Sequence, residues 1–159
     1  MSENKRNIIL VGCVAVLVML CCFSIGTPIH FDNEQQQRER EVKQRLLTIR
    51  QAEERYCAKH GTYTGDFDEL KRKGLLADSL RYIPYSNHKT FVLRASATMG
   101  KSGKQIPLME CSAKYSDYLE GLDKTSVDNL TDEAIAQGQF PGLKIGDLEE
   151  PNNNAGNWE

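Results

Sequence analysis

Cys57 and His60 lie one helical turn apart in Arg55-Tyr56-Cys57-Ala58-Lys59-His60, a spacing at which an imidazole can activate a thiol. The sequence offers no neighbouring third group to orient the imidazole. Packing of Tyr56 and Cys57 against a sheet is therefore the expected role, and catalysis is not. His30, His60 and His88 are scattered, without the spacing of metal ligands. The chain has no G-x-S-x-G elbow, no phosphate loop of the Walker type and no H-E-x-x-H pair, so an enzyme is not expected. Of the five cysteines, Cys13, Cys21 and Cys22 fall in an apolar run, while Cys57 and Cys111 stand alone in the polar remainder. In an oxidising compartment Cys57 and Cys111 form a disulfide candidate; two separate buried thiols are the alternative. Lys101 and Lys104 mark a small basic loop tip, which reads as a solvated hairpin end.

The elements that position these residues begin with the apolar run. Ile8 to Ile25 is interrupted only by Gly12 and Ser24, and no Asp, Glu, Lys or Arg occurs between Arg6 and Asp32. As a helix these roughly 18 residues span about 27 Å, close to the hydrocarbon thickness of a bilayer. No polar stripe of the kind a core helix carries is present. The expectation is an uncleaved anchor, with a cleaved signal peptide as the rival, because Ser24 and Gly26 are small residues at suitable spacing. Leu10-Val11-Gly12-Cys13 looks like a lipoprotein processing box, but the apolar stretch before it is short and continues well past it. Lys5 and Arg6 precede the run, and Asp32 and Glu34 follow it. The basic side stays in the cytoplasm, which puts the N-terminus inside and the later residues outside. The whole chain balances 20 basic against 22 acidic residues, so no basic field for nucleic acid is expected.

Thr27-Pro28 predicts a break after the anchor. A second helix is expected over 33–60, capped by Asp32 or Asn33 and ended by Gly61. Its apolar stripe is Val42, Leu46, Ile49, Ala52 and Tyr56. Glu34 to Glu41 is polar all round and reads as a stalk clear of the domain. Asp66 caps a short helix with Phe67 and Leu70 inward, closed by Gly74. Strand-forming residues at 90–95 and 105–111 flank the glycine-containing loop 99–104, which predicts a hairpin, with Pro107 suited to an edge strand. Ser126 to Gln137 reads as a helix and Leu143 to Gly146 as a third short strand. Trp158 is expected to fold back and tie down the polar, asparagine-rich end.

The run Arg55-Tyr56-Cys57-Ala58-Lys59-His60-Gly61-Thr62-Tyr63-Thr64, followed by Asp68-Glu69-Leu70 and Gly74-Leu75, resembles the helix exit of type IV pilins and of type II secretion pseudopilins. The ending Asn152-Asn153-Asn154-Ala155-Gly156-Asn157-Trp158 resembles the C-terminal loop of major pseudopilins. The resemblance implies that a helix-end tyrosine, the Gly-x-Tyr and a downstream leucine pack the long helix on the sheet. It also implies calcium candidates at Asp147, Asn152 and Asn154. The two asparagines stand where the family has aspartates, and neutral amides in place of carboxylates favour a metal-free loop. The chain departs from the family before the apolar helix. Asn4-Lys5-Arg6-Asn7-Ile8 holds neither the cleavage-site glycine nor the glutamate expected early in the mature chain, so prepilin-type processing is not expected.

The expected organisation is a cytoplasmic N-terminus at 1–7, a transmembrane helix at 8–26, a stalk at 27–41 and a periplasmic pilin-like α+β domain at 42–159. The expected role is that of a non-enzymatic structural component of a bacterial envelope assembly, single-pass in the inner membrane. Its partners would be lipid, envelope proteins and further copies meeting through the 33–60 helix, with no cofactor unless calcium. A monomeric anchored binding module is the alternative.

Overall fold

A computed structural model describes the backbone of residues 3–101 and 103–159, and the side chains of residues 7, 10–20, 30–101 and 103–159. Helix α1 runs over Glu3–His60. The proline at 28 removes one backbone donor and crowds the preceding turn, yet the helix continues through Thr27-Pro28 where the sequence predicts a break. Asp32 and Asn33 consequently cap nothing. Gly61 does end the helix, with φ +79° and its N–H donating to the Cys57 carbonyl at 2.7 Å. Two compact units divide the chain, Met1–Gln36 and Gln37–Glu159.

In the first unit every described side chain from 10 to 20 is exposed, and Leu10, Val11, Val14, Val16, Leu17, Val18, Met19 and Leu20 are each more than half exposed. Among the described residues no helix is long and apolar enough to cross a membrane. The span expected at 8–26 includes residues 8, 9 and 21–26, whose side chains lie outside the described set.

The second unit is an α+β domain. Past α1 come α2 (Phe67–Arg72), a 3-10 turn (Asp78–Arg81), β1 (Val92–Met99), β2 (Gln105–Lys114), α3 (Tyr115–Tyr118), α4 (Lys124–Ala136) and β3 (Gly142–Gly146). The sheet is antiparallel in the order β1-β2-β3. Leu93 lies opposite Cys111 across the hairpin, and Cys111 lies opposite Ile145 across the other edge. Asp66 caps α2 by accepting from the Asp68 N–H at 2.9 Å, as expected, and Asp123 does the same for Ser126 at the start of α4, at 2.8 Å. The core combines the α1 stripe (Val42, Leu46, Ile49 and Ala52, at most 1% exposed) with Leu70, Met109, Cys111, Tyr118, Leu119 and Ile145.

The compact unit that holds the stripe begins at Gln37, and within it Arg38 donates to the Tyr118 carbonyl and Glu41 accepts from the Tyr85 hydroxyl. One strand expectation is corrected. Pro107 lies on the central strand, not an edge strand. Lys144 and Gly146 direct their backbone groups away from β2, toward Asn157 and Ala155. Backbone direction alternates along a strand. The residues of β2 that face β3 are therefore Cys111, Ala113 and, by the same alternation, Pro107. Since β3 reaches only Glu110–Lys114, the N–H that proline lacks would have met no strand.

Candidate functional site

Helix α1 positions the polar sites of the domain through residues that the sequence presents as ordinary helix formers. Three arginines reach backbone carbonyls on three separate segments. Arg38 donates to the carbonyls of Tyr118 (3.1 Å) and Glu120 (2.9 Å). Arg45 donates to Tyr82 at 2.6 Å. Arg50 donates to Asn154 at 3.1 Å and pairs with the Glu159 carboxylate at 3.2 Å. A guanidinium carries several donors in a rigid fork, so one side chain can satisfy carbonyls that no secondary structure pairs. The same arginines hold the 3-10 turn, the α3 end and the chain terminus at fixed positions along one helix.

Glu53 is the residue that sequence reasoning missed. It is 0% exposed, and its two oxygens accept the N–H groups of Thr64 and Gly65, each at 2.9 Å. Burial raises its pKa above the ordinary 4.5, and the two N–H groups pull in the opposite direction. It anchors the turn after the helix where glycine is required. Gly65 has φ +62°, and a Cβ there would lie 2.6 Å from the Ala95 nitrogen on β1. A signal for it existed, because Glu53 continues the 42, 46, 49 spacing of the apolar stripe.

Cys57 and Cys111 are both free thiols, the first half-buried and the second buried. Burial raises both thiol pKa values, and the Glu53 carboxylate raises them further. That is the reverse of an activated nucleophile, which needs a stabilised thiolate. The His60 ring stacks on Tyr56 at 4.2 Å between centroids.

The residues that the resemblance singles out do converge. Asp147, Asn152 and Asn154, with Tyr63, Pro107 and Leu108, line a cavity of about 240 Å³ between the half of β2 that β3 does not reach and the C-terminal loop. Both Asp147 oxygens and the amide nitrogens of Asn152 and Asn154 are engaged within the protein. The Asn154 amide donates to the Tyr63 hydroxyl at 2.8 Å and to Glu54 at 3.3 Å. One Asp147 oxygen accepts from the Lys144 ammonium at 3.1 Å, and the other accepts from the N–H groups of Glu149 and Glu150. These contacts hold the Asp147 carboxyl below its usual pKa, the Glu149 N–H being the largest cause. Asn153 and Asn154 adopt φ of +56° and +55°, the left-handed conformation that asparagine tolerates in turns. Trp158 folds back as expected, its ring under the Lys43 ammonium at 5.6 Å, while Gly156 bridges to Ile145. Among the described residues no three His, Cys, Asp or Glu side chains gather as a metal-binding group.

Tyr85 forms a second polar feature. It sits at φ +60° on the loop before β1, under the Arg38 guanidinium at 4.7 Å, and its hydroxyl donates to Glu41. Tyr118 is fully buried, and its hydroxyl has no hydrogen-bond partner among the described residues. Compared with known protein families, with curated proteins and with solved structures, the chain matches none.

Proposed function

We propose that this chain is a non-enzymatic, membrane-anchored structural component of a bacterial envelope assembly, built on a pilin-like or pseudopilin-like plan. The observation that carries the reading is the unbroken row of exposed apolar side chains at 10–20 on the same helix whose later turns form the core of the domain. A water-exposed helix with no polar face is unstable as such, whereas lipid satisfies it. The flanking charges favour a cytoplasmic N-terminus and an external domain, in the inner membrane.

Val42, Leu46 and Ile49 are 0% exposed within this domain. Association through the 33–60 helix therefore falls to its outer face, where Gln44, Thr48, Gln51 and Arg55 are exposed. Such a face suits reversible, polar contacts between copies or with envelope partners. Single cysteines at 44, 48 and 51, crosslinked in intact membranes, test this. Dimers at one or more positions are expected, and monomers throughout would oppose self-assembly.

The cavity beside Tyr63 and Asn152 favours a second reading, a monomeric anchored binding module. A soluble 31–159 fragment that still captures a partner would favour the module. Loss of all association with the anchor would favour assembly through the helix.

A further inference from the structure

The C-terminal loop, residues 147–157, is where the resemblance implies calcium, and its donor set does not suit that ion. Calcium needs six to eight oxygens, chiefly carboxylate. Of the three candidates only Asp147 is charged, and both its oxygens are engaged, one by an ammonium and one by two backbone N–H groups. Asn152 and Asn154 can offer only neutral carbonyl oxygens, while their amide nitrogens donate to Ala155, Tyr63 and Glu54. A divalent ion coordinated by Asp147 would sit beside the Lys144 ammonium or have to displace it, and like charges in a half-buried setting repel.

The Lys144 ammonium itself makes the contacts a closing ion would make. It lies 3.2 Å from a Glu110 oxygen on β2 and 3.1 Å from Asp147 at the start of the loop. All three side chains are between 18% and 32% exposed, so the cluster is shielded more than an ordinary surface pair. The backbone of the same residue holds the far end of the loop. Its N–H donates to the Asn157 side-chain oxygen at 3.1 Å, and its carbonyl accepts the Asn157 N–H at 3.0 Å. One residue thus joins both ends of the loop, which removes most of the entropy the open segment would retain.

We propose that the chain closes this loop with a cation of its own, the Lys144 ammonium between Glu110 and Asp147, and that the loop folds without a divalent metal. The inference needs neither the anchor nor a partner, so its test stands apart from the proposed function. The full chain in detergent micelles is unfolded thermally, and its amide exchange followed, in millimolar calcium and in EDTA. The same midpoint and the same protection of the Asn157 amide are expected in both. Lys144→Met is expected to lower the midpoint by several degrees and to speed exchange at Asn157. Lys144→Arg, which keeps the charge, is expected to restore protection. A midpoint raised by calcium or lowered by EDTA in the native chain would overturn the proposal, whether or not either variant folds. So would a methionine variant with native exchange at Asn157, or an arginine variant as unprotected as the methionine one.

Discussion

Replacing Glu53 by glutamine removes one of the two oxygens that hold the Thr64 and Gly65 amides while leaving the side-chain volume unchanged. One amide keeps an acceptor, and the other then faces the glutamine NH2, donor against donor. A hydrogen bond to a charged group contributes about 1.5–3 kcal/mol, and a buried donor left unsatisfied costs about 1–3 kcal/mol. Relief from burying a charge offsets part of this. A net loss of about 2 kcal/mol is expected. For a domain of about 120 residues that lowers the melting midpoint by roughly 8 °C. Glu53→Leu, which orphans both amides, should cost more despite being apolar. The pH dependence carries the sign of the shift. Because the folded pKa is raised above 4.5, the folded state binds the proton more tightly. The proton-linked part of this group's contribution, distinct from the hydrogen bonds to the two amides, is fully present below pH 4.5 and declines as pH rises through its folded pKa. Glu53→Gln should remove that component. Thermal unfolding across pH, with amide exchange at residues 64 and 65, reads all three effects. A glutamine or leucine variant as stable as the native chain, with both amides still protected, would refute the anchoring role.

Tyr118→Phe should stabilise the domain, by up to about 1 kcal/mol, since it removes a buried hydroxyl that has no partner among the described residues while keeping the ring; equilibrium denaturation that shows a clear loss would reveal a hydrogen bond at that oxygen. With Cys57 and Cys111 both free and their pKa values raised, maleimide at neutral pH should label Cys57 slowly and Cys111 only after unfolding. Mass spectrometry that instead finds Cys57 joined to Cys111 would contradict the free-thiol state. Arg45→Ala should free the segment around Tyr82 by removing the 2.6 Å bond to its carbonyl, at about 1.5 kcal/mol, read as faster exchange of the amides that pair Tyr82 with Thr90.

The parts of the fold that are legible in the sequence are those set by local pattern. The spacing of Val42, Leu46, Ile49 and Ala52 marks the buried face of α1. Gly61 marks its end, Asp66 the α2 cap, and the glycine loop before Gln105 the β1–β2 hairpin. Local signals also misled. Thr27-Pro28 carries a strong breaker, yet a single proline in a long helix loses little compared with the many backbone bonds on either side. Glu41 and Arg38 read as a solvated stalk because their partners, Tyr85 and the carbonyls near Tyr118, are far away in sequence. The same holds for Glu53. A carboxylate on an apolar stripe looks like a flaw until the Thr64–Gly65 turn folds over it. In the C-terminal loop Asp147, Asn152 and Asn154, which the resemblance singles out, line one cavity. The charge that decides their chemistry, Lys144, lies on a strand and carries no motif.

Fractionation of cells expressing the full chain tests the account most directly. The polypeptide is expected to remain with the bilayer after an alkaline carbonate wash, with its 37–159 domain open to protease from the outer side only. A mature form that starts beyond Gly26 and is released with the soluble contents would contradict the anchor and the envelope role built on it.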